Sequence, residues 1–399
     1  MYIKRDLEEV LLRFAKFPAV ALLGPRQSGK TTIAKKIFPQ HRYVSFEDHH
    51  ERFFAADDPR GFLKKYENEH GIIIDEFQYV PPLLSYLQLD IDEKKRQGYY
   101  ILTGSQNFLM NEKITQSLAG RVGIVDLYTL SFKELERAGK LAPNCDDVIV
   151  RGGYPRLFEQ DIDTADFYSS YVQTYVERDV RQLQNVGDIN TFQRFLGLCA
   201  GRVGQILDYQ TLSNDCGVTL VQVKKWISVL EATYIITLLQ PFYKNFNRRL
   251  IRTPKLYFLD TGLACSLLKI FSPDTLESHP LRGNLFENMV IADLYKQYAN
   301  MGRRSPLYFW RDQNGRLEVD CIVDRGINLI PIEIKSGQTL SPNFFNGIAA
   351  WAELAGSDPA QGFVVYGGEK ESHQMSAGHV VGWRDIKDFV AYVEEPLEV

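Results

Sequence analysis

The sequence predicts an α/β protein made of several units. Three observations carry this. Short apolar runs alternate with helical or polar stretches over residues 1–135. A glycine-rich loop follows the first of those runs directly. Two further runs with strict alternation, LEVDCIV and LIPIEIKSG, lie near the C-terminal end. At 399 residues the chain exceeds a single ordinary core, so two to four domains are expected.

Composition narrows the class. The apolar share of 45% and charged share of 24% are those of a globular chain, and no low-complexity tract interrupts it. A net charge of −4 excludes a protein that is basic all over, but not a local basic surface. Cys145, Cys199, Cys216, Cys265 and Cys321 form no CxxC or Cys/His metal spacing and read as free thiols in a reducing compartment. The start, MYIKRDLEEVLLRFAKF, is a charged amphipathic helix and not a signal peptide. No run reaches the roughly 18 to 20 apolar residues of a membrane span. A cytoplasmic protein without a membrane partner is expected.

Residues 1–135 read as βαβ units around a parallel sheet. Its strands are expected at Val20–Leu23, Tyr43–Phe46, Ile72–Asp75, Tyr100–Thr103 and Val122–Leu127. Between the first strand and the helix TIAKKIF lies GPRQSGKTT, residues 24–32, which matches GxxxxGK[ST]. In such a loop, formed by Gly24, Pro25, Arg26, Gln27, Ser28 and Gly29, the glycines let successive backbone N–H groups turn inward around phosphate oxygens. Lys30 reaches the β- and γ-phosphates, Thr31 ligates Mg²⁺, and Thr32 opens the helix whose positive end faces the anion. ATP and Mg²⁺ are therefore the expected cofactors. GIIIDEFQ ends an apolar strand in two acids. Asp75 is placed to hold Mg²⁺, and Glu76 to orient or deprotonate the attacking water. YYILTGSQN ends a further strand in polar residues, and Ser105, with Gln106 or Asn107, is a candidate γ-phosphate sensor.

Residues 136–200 form a helical linker region, in which Tyr168, Tyr171, Tyr175 and Arg178 recur along one face. Residues 201–275 read as helix, turn at Cys216–Gly217, second helix, strand and basic segment, the order of a winged helix-turn-helix. Lys224 and Lys225 fall on its second helix; Arg248, Arg249, Arg252 and Lys255 fall on or near the wing. These six cations suit DNA phosphates, with a protein partner as the other reading. Residues 276–399 alternate so that Glu318 and Asp320 share one strand face, and Glu333 and Lys335 share a face of the next strand. In a hairpin Asp320 can then lie opposite Glu333.

These motifs carry three resemblances. The phosphate loop, the Asp-Glu strand end and the polar strand beyond it resemble the AAA+ branch of P-loop ATPases. With LAGR, YVERDV and the ExK segment, nearly the whole chain looks like a family of archaeal and bacterial ATPases whose C-terminal half is a domain of unknown function. That resemblance implies a parallel sheet with helices on both sides and an arginine that completes the site, often from a neighbouring subunit of a homo-oligomer or ring. Arg121 and Arg178 are the candidates. Asp320, Glu333 and Lys335 resemble the PD-(D/E)xK nuclease fold, in which the acids hold a second Mg²⁺, the lysine acts on water, and Glu287 stands where a helix acid joins them. The expected activity is an ATPase coupled to DNA binding or remodelling. Alternatives are a nucleotide-dependent switch that recruits a protein partner and an ATP-regulated, Mg²⁺-dependent nuclease.

Overall fold

The computed structural model describes residues 2–105, 117–176, 189–242, 253–312, 315–326, 328–369 and 372–394. The N-terminal part runs α1 (Leu7–Phe14), β1 (Ala19–Leu23), α2 (Lys30–Ile37), β2 (Arg42–Ser45), α3 (His49–Asp57), α4 (Pro59–Tyr66), β3 (Ile72–Asp75), α5 (Leu83–Lys94), β4 (Tyr100–Gly104) and β5 (Val122–Asp126). Its five strands form one all-parallel sheet in the order β2-β3-β4-β1-β5. The apolar runs are continuous because both faces are covered. Val20 and Leu22 pack with Leu7, Leu11, Ile33 and Ala34, while Ala19, Ala21 and Leu23 share a core with Phe62, Leu84 and Leu87. The C-terminal ends of β1, β3 and β4 therefore open on one edge, where ligands of parallel α/β sheets bind.

Next come α6 (Phe132–Arg137), α7 (Cys145–Arg151), α8 (Arg156–Glu159), α9 (Thr164–Tyr171) with a π-helical turn at Val172–Val176, and α10 (Ile189–Ala200). A reciprocal cap between Ser131 and Glu134 starts α6. Tyr168 and Tyr171 are buried, as a shared helix face requires. Then follow β6 (Gln205–Ile206), α11 (Tyr209–Cys216), α12 (Leu220–Ala232), β7 (Ile236–Leu239) and β8 (Lys255–Phe258). Asp208 and Thr219 cap α11 and α12, and left-handed Gly217 ends α11. The three strands form an antiparallel sheet with β8 in the middle, order β6-β8-β7.

The C-terminal part contains α13 (Thr261–Leu267), α14 (Pro273–Glu277), α15 (Arg282–Asn300), β9 (Leu307–Arg311), β10 (Glu318–Arg325), β11 (Asn328–Lys335), α16 (Asn346–Ala355), β12 (Phe363–Tyr366), β13 (His373–Met375), β14 (Gly378–Gly382) and α17 (Phe389–Glu394). Its mixed six-stranded sheet has the order β13-β14-β12-β11-β10-β9. The β10–β11 hairpin pairs Cys321 with Ile332, a register that sets Asp320 opposite Glu333. Pro331 has β10 on one side, and pairing with β12 begins only at Ile332, so it breaks no ladder there. One hydrophobic cluster joins Tyr168, Trp226, Tyr257, Phe286 and Cys321, and thus runs from α9 through β8 to β10. All five cysteines are free and buried. Among the described residues no helix is long and apolar enough to cross a membrane.

Candidate functional site

Between β1 and α2 the chain turns sharply. Gly24 has φ +150°, and a Cβ there would lie 2.1 Å from the Leu127 carbonyl oxygen, so the β1–loop junction accepts only glycine. Lys30 is buried over this loop, its ammonium donating to the Gly24 (3.0 Å) and Pro25 (2.7 Å) carbonyls. Ser28 Oγ and Gln27 Oε1 are buried without a hydrogen-bond partner, polar atoms that a phosphate and its water can satisfy. The loop lines a cavity of about 410 Å³ that also takes in Thr31, Thr32, Glu47 and Glu76.

The two acids at the end of β3 face different neighbours. Asp75 accepts from Thr31 Oγ1 at 3.1 Å, from Tyr43 Oη at 2.9 Å and from Thr103 Oγ1. Thr103 stands on β4 between Leu22 and Asp75 in register. Burial and the Asp75 charge push the Tyr43 phenol up to about 12, so it stays a donor. Glu76 adopts a left-handed backbone at φ 54°, a conformation that costs a non-glycine residue on the order of 1–3 kcal/mol. Its Oε2 accepts from Gln78 Nε2 and from Ser105 Oγ at 3.3 Å. Its Oε1 lies 3.9 Å from the Arg26 guanidinium, which also approaches Glu47 at 3.6 Å. Thr31 and Asp75 thus offer an uncharged hydroxyl and a carboxylate whose partners are all neutral donors, a set that fits Mg²⁺.

The remaining wall comes from distant sequence. Pro155, Arg156, Glu159 and Gln160 line the same cavity, as do Tyr2, Ile3 and Leu130. Tyr171 Oη donates to the Arg26 carbonyl at 3.5 Å. Arg5 is buried, with Nη1 donating to Ser28 O (2.9 Å), Nη2 to Tyr128 O (2.8 Å) and Nε to Glu134 (2.9 Å). Sequence reasoning assigned no role to Arg5, Gln78 or Arg156. Gln78 was signalled by its place in DEFQ; nothing local marks Arg5, whose partner Glu134 is 129 residues away.

Of the two arginines expected to complete the site, Arg121 lies within the described residues. Arg121 precedes β5 beside Ala19, at the end of the sheet opposite the phosphate loop, and pairs with Asp92 (2.6 Å). It cannot reach the site of its own chain. Arg178, Gln106 and Asn107 lie outside the described residues. Of the basic set, Lys224 and Lys225 are exposed on α12, while Arg248, Arg249 and Arg252 lie outside the described residues. Lys255 corrects the expectation outright. It is 3% exposed and its ammonium meets Glu287 at 3.0 Å and Glu318 at 2.5 Å, so it presents no charge to a polyanion.

The C-terminal acids are close but already paired. Asp320 Oδ2 accepts from Lys335 Nζ (3.0 Å) and from the Ile334 N–H (2.8 Å), and Lys335 also pairs with Glu333. Tyr257 Oη donates to Glu287. Burial alone would raise the Asp320 carboxyl, but Lys335, Lys255 and the Ile334 N–H outweigh it and hold it low. Burial and the Asp320 charge push Glu333 up to about 8. A Cβ on Gly347 of α16 would collide with Glu333 Oε1, so the helix lies directly on this carboxylate. Among the described residues no group of three carboxylate, histidine or cysteine side chains is arranged to hold a metal ion. The expected second Mg²⁺ site at Glu287, Asp320 and Glu333 is therefore not assembled, because lysines stand between the acids.

Residues 16–136 match the model of a family described as AAA domain. Residues 142–274 and 282–386 match two families described as domains of unknown function, DUF8612 and DUF4143. The chain is similar to the uncharacterized protein Mb2031c of Mycobacterium bovis, with 29% identity over 346 residues, covering 86% of this chain and 76% of that protein. It is also similar to the uncharacterized protein MJ1544 of Methanocaldococcus jannaschii, with 24% identity over 332 residues, covering 74% and 70%. Among solved structures, the Walker-type ATPase PABY2304 of Pyrococcus abyssi aligns with a TM-score of 0.45 and 16% identity, over 67% of this chain and 96% of that one. The RuvB Holliday junction branch migration motor of Thermotoga maritima aligns with a TM-score of 0.30 and 19% identity, over 58% and 85%. The AAA-domain match spans the phosphate loop and the Asp75–Glu76 pair, and it supports a P-loop AAA-type ATPase domain there.

Proposed function

We propose that the protein binds ATP with Mg²⁺ at the phosphate loop, hydrolyses it, and passes the result through the helical region to DNA. One observation carries the reading. Lys30, Glu76 and Thr31, whose hydroxyl is bonded to Asp75 behind it, line a single cavity whose far wall is Pro155, Arg156 and Glu159. The loop N–H groups and Lys30, exchanging two backbone carbonyls for phosphate oxygens, hold the triphosphate. Thr31 and Asp75 would hold Mg²⁺, which when bound neutralises charge on the β- and γ-phosphates. Glu76 orients the attacking water and takes its proton, while Gln78 and Ser105 fix Oε2 and so aim the carboxylate. Arg26 sits beside Glu76 in the same chain and is the cation suited to offset charge in the transition state.

DNA is the proposed partner because α11 and α12, followed by the β7–β8 pair, have the order of a winged helix, with Lys224 and Lys225 exposed on its second helix. Such side chains contact phosphates and give affinity without sequence preference. A protein partner is the second reading, favoured by Val221, which is 63% exposed on the same helix. The test is ATP turnover with and without duplex, forked and single-stranded DNA, with particle size followed for a homo-oligomer or ring. DNA-stimulated turnover that falls steeply with salt supports the reading. Turnover indifferent to every DNA overturns the DNA part. ATP affinity retained in Lys30→Ala overturns the site assignment.

A further inference from the structure

The resemblance of the C-terminal hairpin to metal-dependent nucleases implies a divalent ion among Glu287, Asp320 and Glu333, and the residues present do not fit it. The misfit has a specific cause. Lys255 belongs to β8, the middle strand of the small sheet, with Ile206 and Leu239 as its two ladder partners. Its backbone is thus fixed from both sides, yet its side chain leaves that sheet and ends among the acids of α15 and β10. There the ammonium touches Glu287 at 3.0 Å and Glu318 at 2.5 Å, with the Phe309 ring centroid at 5.6 Å. Glu318 also takes Arg311 at 3.2 Å, and Lys335 bridges Asp320 and Glu333. Four carboxylates therefore meet three cations, with Lys255, Glu287, Asp320 and Glu333 at the inner end and Glu318, Arg311 and Lys335 half-buried. Mg²⁺ requires oxygen ligands at about 2.0–2.1 Å in near-octahedral order. To reach Glu287 it would have to expel an ammonium that is 3% exposed and doubly paired.

We infer that Lys255 is a resident cation of this cluster, delivered by β8, and that it takes the place beside Glu287 that a divalent ion would need, while Glu333 Oε1 stays buried without a hydrogen-bond partner. The cluster then fastens the helix-turn-helix region to the C-terminal sheet, as the continuous core beneath it also does. Moving β8 away from α15 and β10 breaks both ion pairs of the buried Lys255 at once, so the two parts move together. This role does not depend on the ATP reading.

The test uses the full chain carrying Lys30→Ala, which removes the phosphate-loop lysine, titrated with Mn²⁺ alone and read by electron paramagnetic resonance. Adding Glu333→Gln should leave the isotherm unchanged. Adding Lys255→Met instead should add one bound Mn²⁺ per chain, and Glu287→Gln should remove it again. A site present before Lys255 is changed and lost with Glu333→Gln overturns the inference, as does Lys255→Met that folds and gains no ion. Should Lys255→Met not fold, hydrogen exchange of the unaltered chain decides. Protection of β8, β10 and β11 unaffected by Mn²⁺ supports the resident lysine, and Mn²⁺-dependent protection of those strands overturns it.

Discussion

The phosphate-loop site and the C-terminal cluster are built from the same residue types and treat their charges in opposite ways. In the first, Lys30 rests on backbone carbonyls and Asp75 on the hydroxyls of Thr31, Tyr43 and Thr103. Lys30 and Asp75 each meet neutral groups, so each remains able to take a ligand ion, while Arg26 stands 3.9 Å from Glu76. In the second, Lys255 and Lys335 lie directly on the carboxylates. A carboxylate with an ammonium at hydrogen-bond distance has spent its field. The comparison teaches that acids and lysines drawn together by the fold do not by themselves make a site. What counts is whether the nearest donor to each acid is neutral or charged.

The sharpest break in the comparison is expected at Glu76. Glu76→Gln should lower ATP turnover by about 10²–10⁴-fold with nucleotide affinity retained, measured by steady-state hydrolysis and equilibrium binding. Stability should separate the two lysines next. Lys255→Ala takes the cation from the largely buried Glu287 and should cost about 3–5 kcal/mol. Lys30→Ala removes hydrogen bonds to the Gly24 and Pro25 carbonyls and should cost less, about 1.5–3 kcal/mol. Denaturant titration of both variants checks this, and equal losses would erase the distinction. Glu231 on α12 gives a third kind of acid, paired among the described residues with neither a cation nor a hydroxyl. Burial pushes it up to about 7 from 4.5, against a lone backbone hydrogen bond from Leu238. Its folded value lies above its unfolded one, so the folded state binds the proton more tightly and stability is lost as pH rises from 4.5 to about 7. Melting temperatures across that window should fall relative to Glu231→Gln, whose curve lacks this component. The smallest effect is expected at Arg121. Arg121→Ala should leave turnover unchanged at low protein concentration, and a loss that appears only at concentrations where chains associate would place Arg121 in a neighbour's site.

The N-terminal half was largely legible. Strand ends, loop and helix follow one another in sequence, and the apolar runs predicted all five strands to within two residues. The hairpin register was legible too, because alternation forces Asp320 and Glu333 onto one face. The fate of each charge was not. Lys255 looked like one of several cations in a basic stretch, and only its partners, Glu287 32 residues on and Glu318 farther still, turned it inward. Arg121 looked equally free and found Asp92.

By itself the sequence determined the phosphate loop and the acids that end β3, because a glycine with no Cβ and a strand–loop–helix run impose their backbone geometry locally. The tertiary structure alone decided that Pro155, Arg156 and Arg5 close on that loop, and which cation lies on which acid. Electrostatic pairing depends on distance through the folded chain and on exclusion from water, and neither quantity is carried by spacing along the sequence.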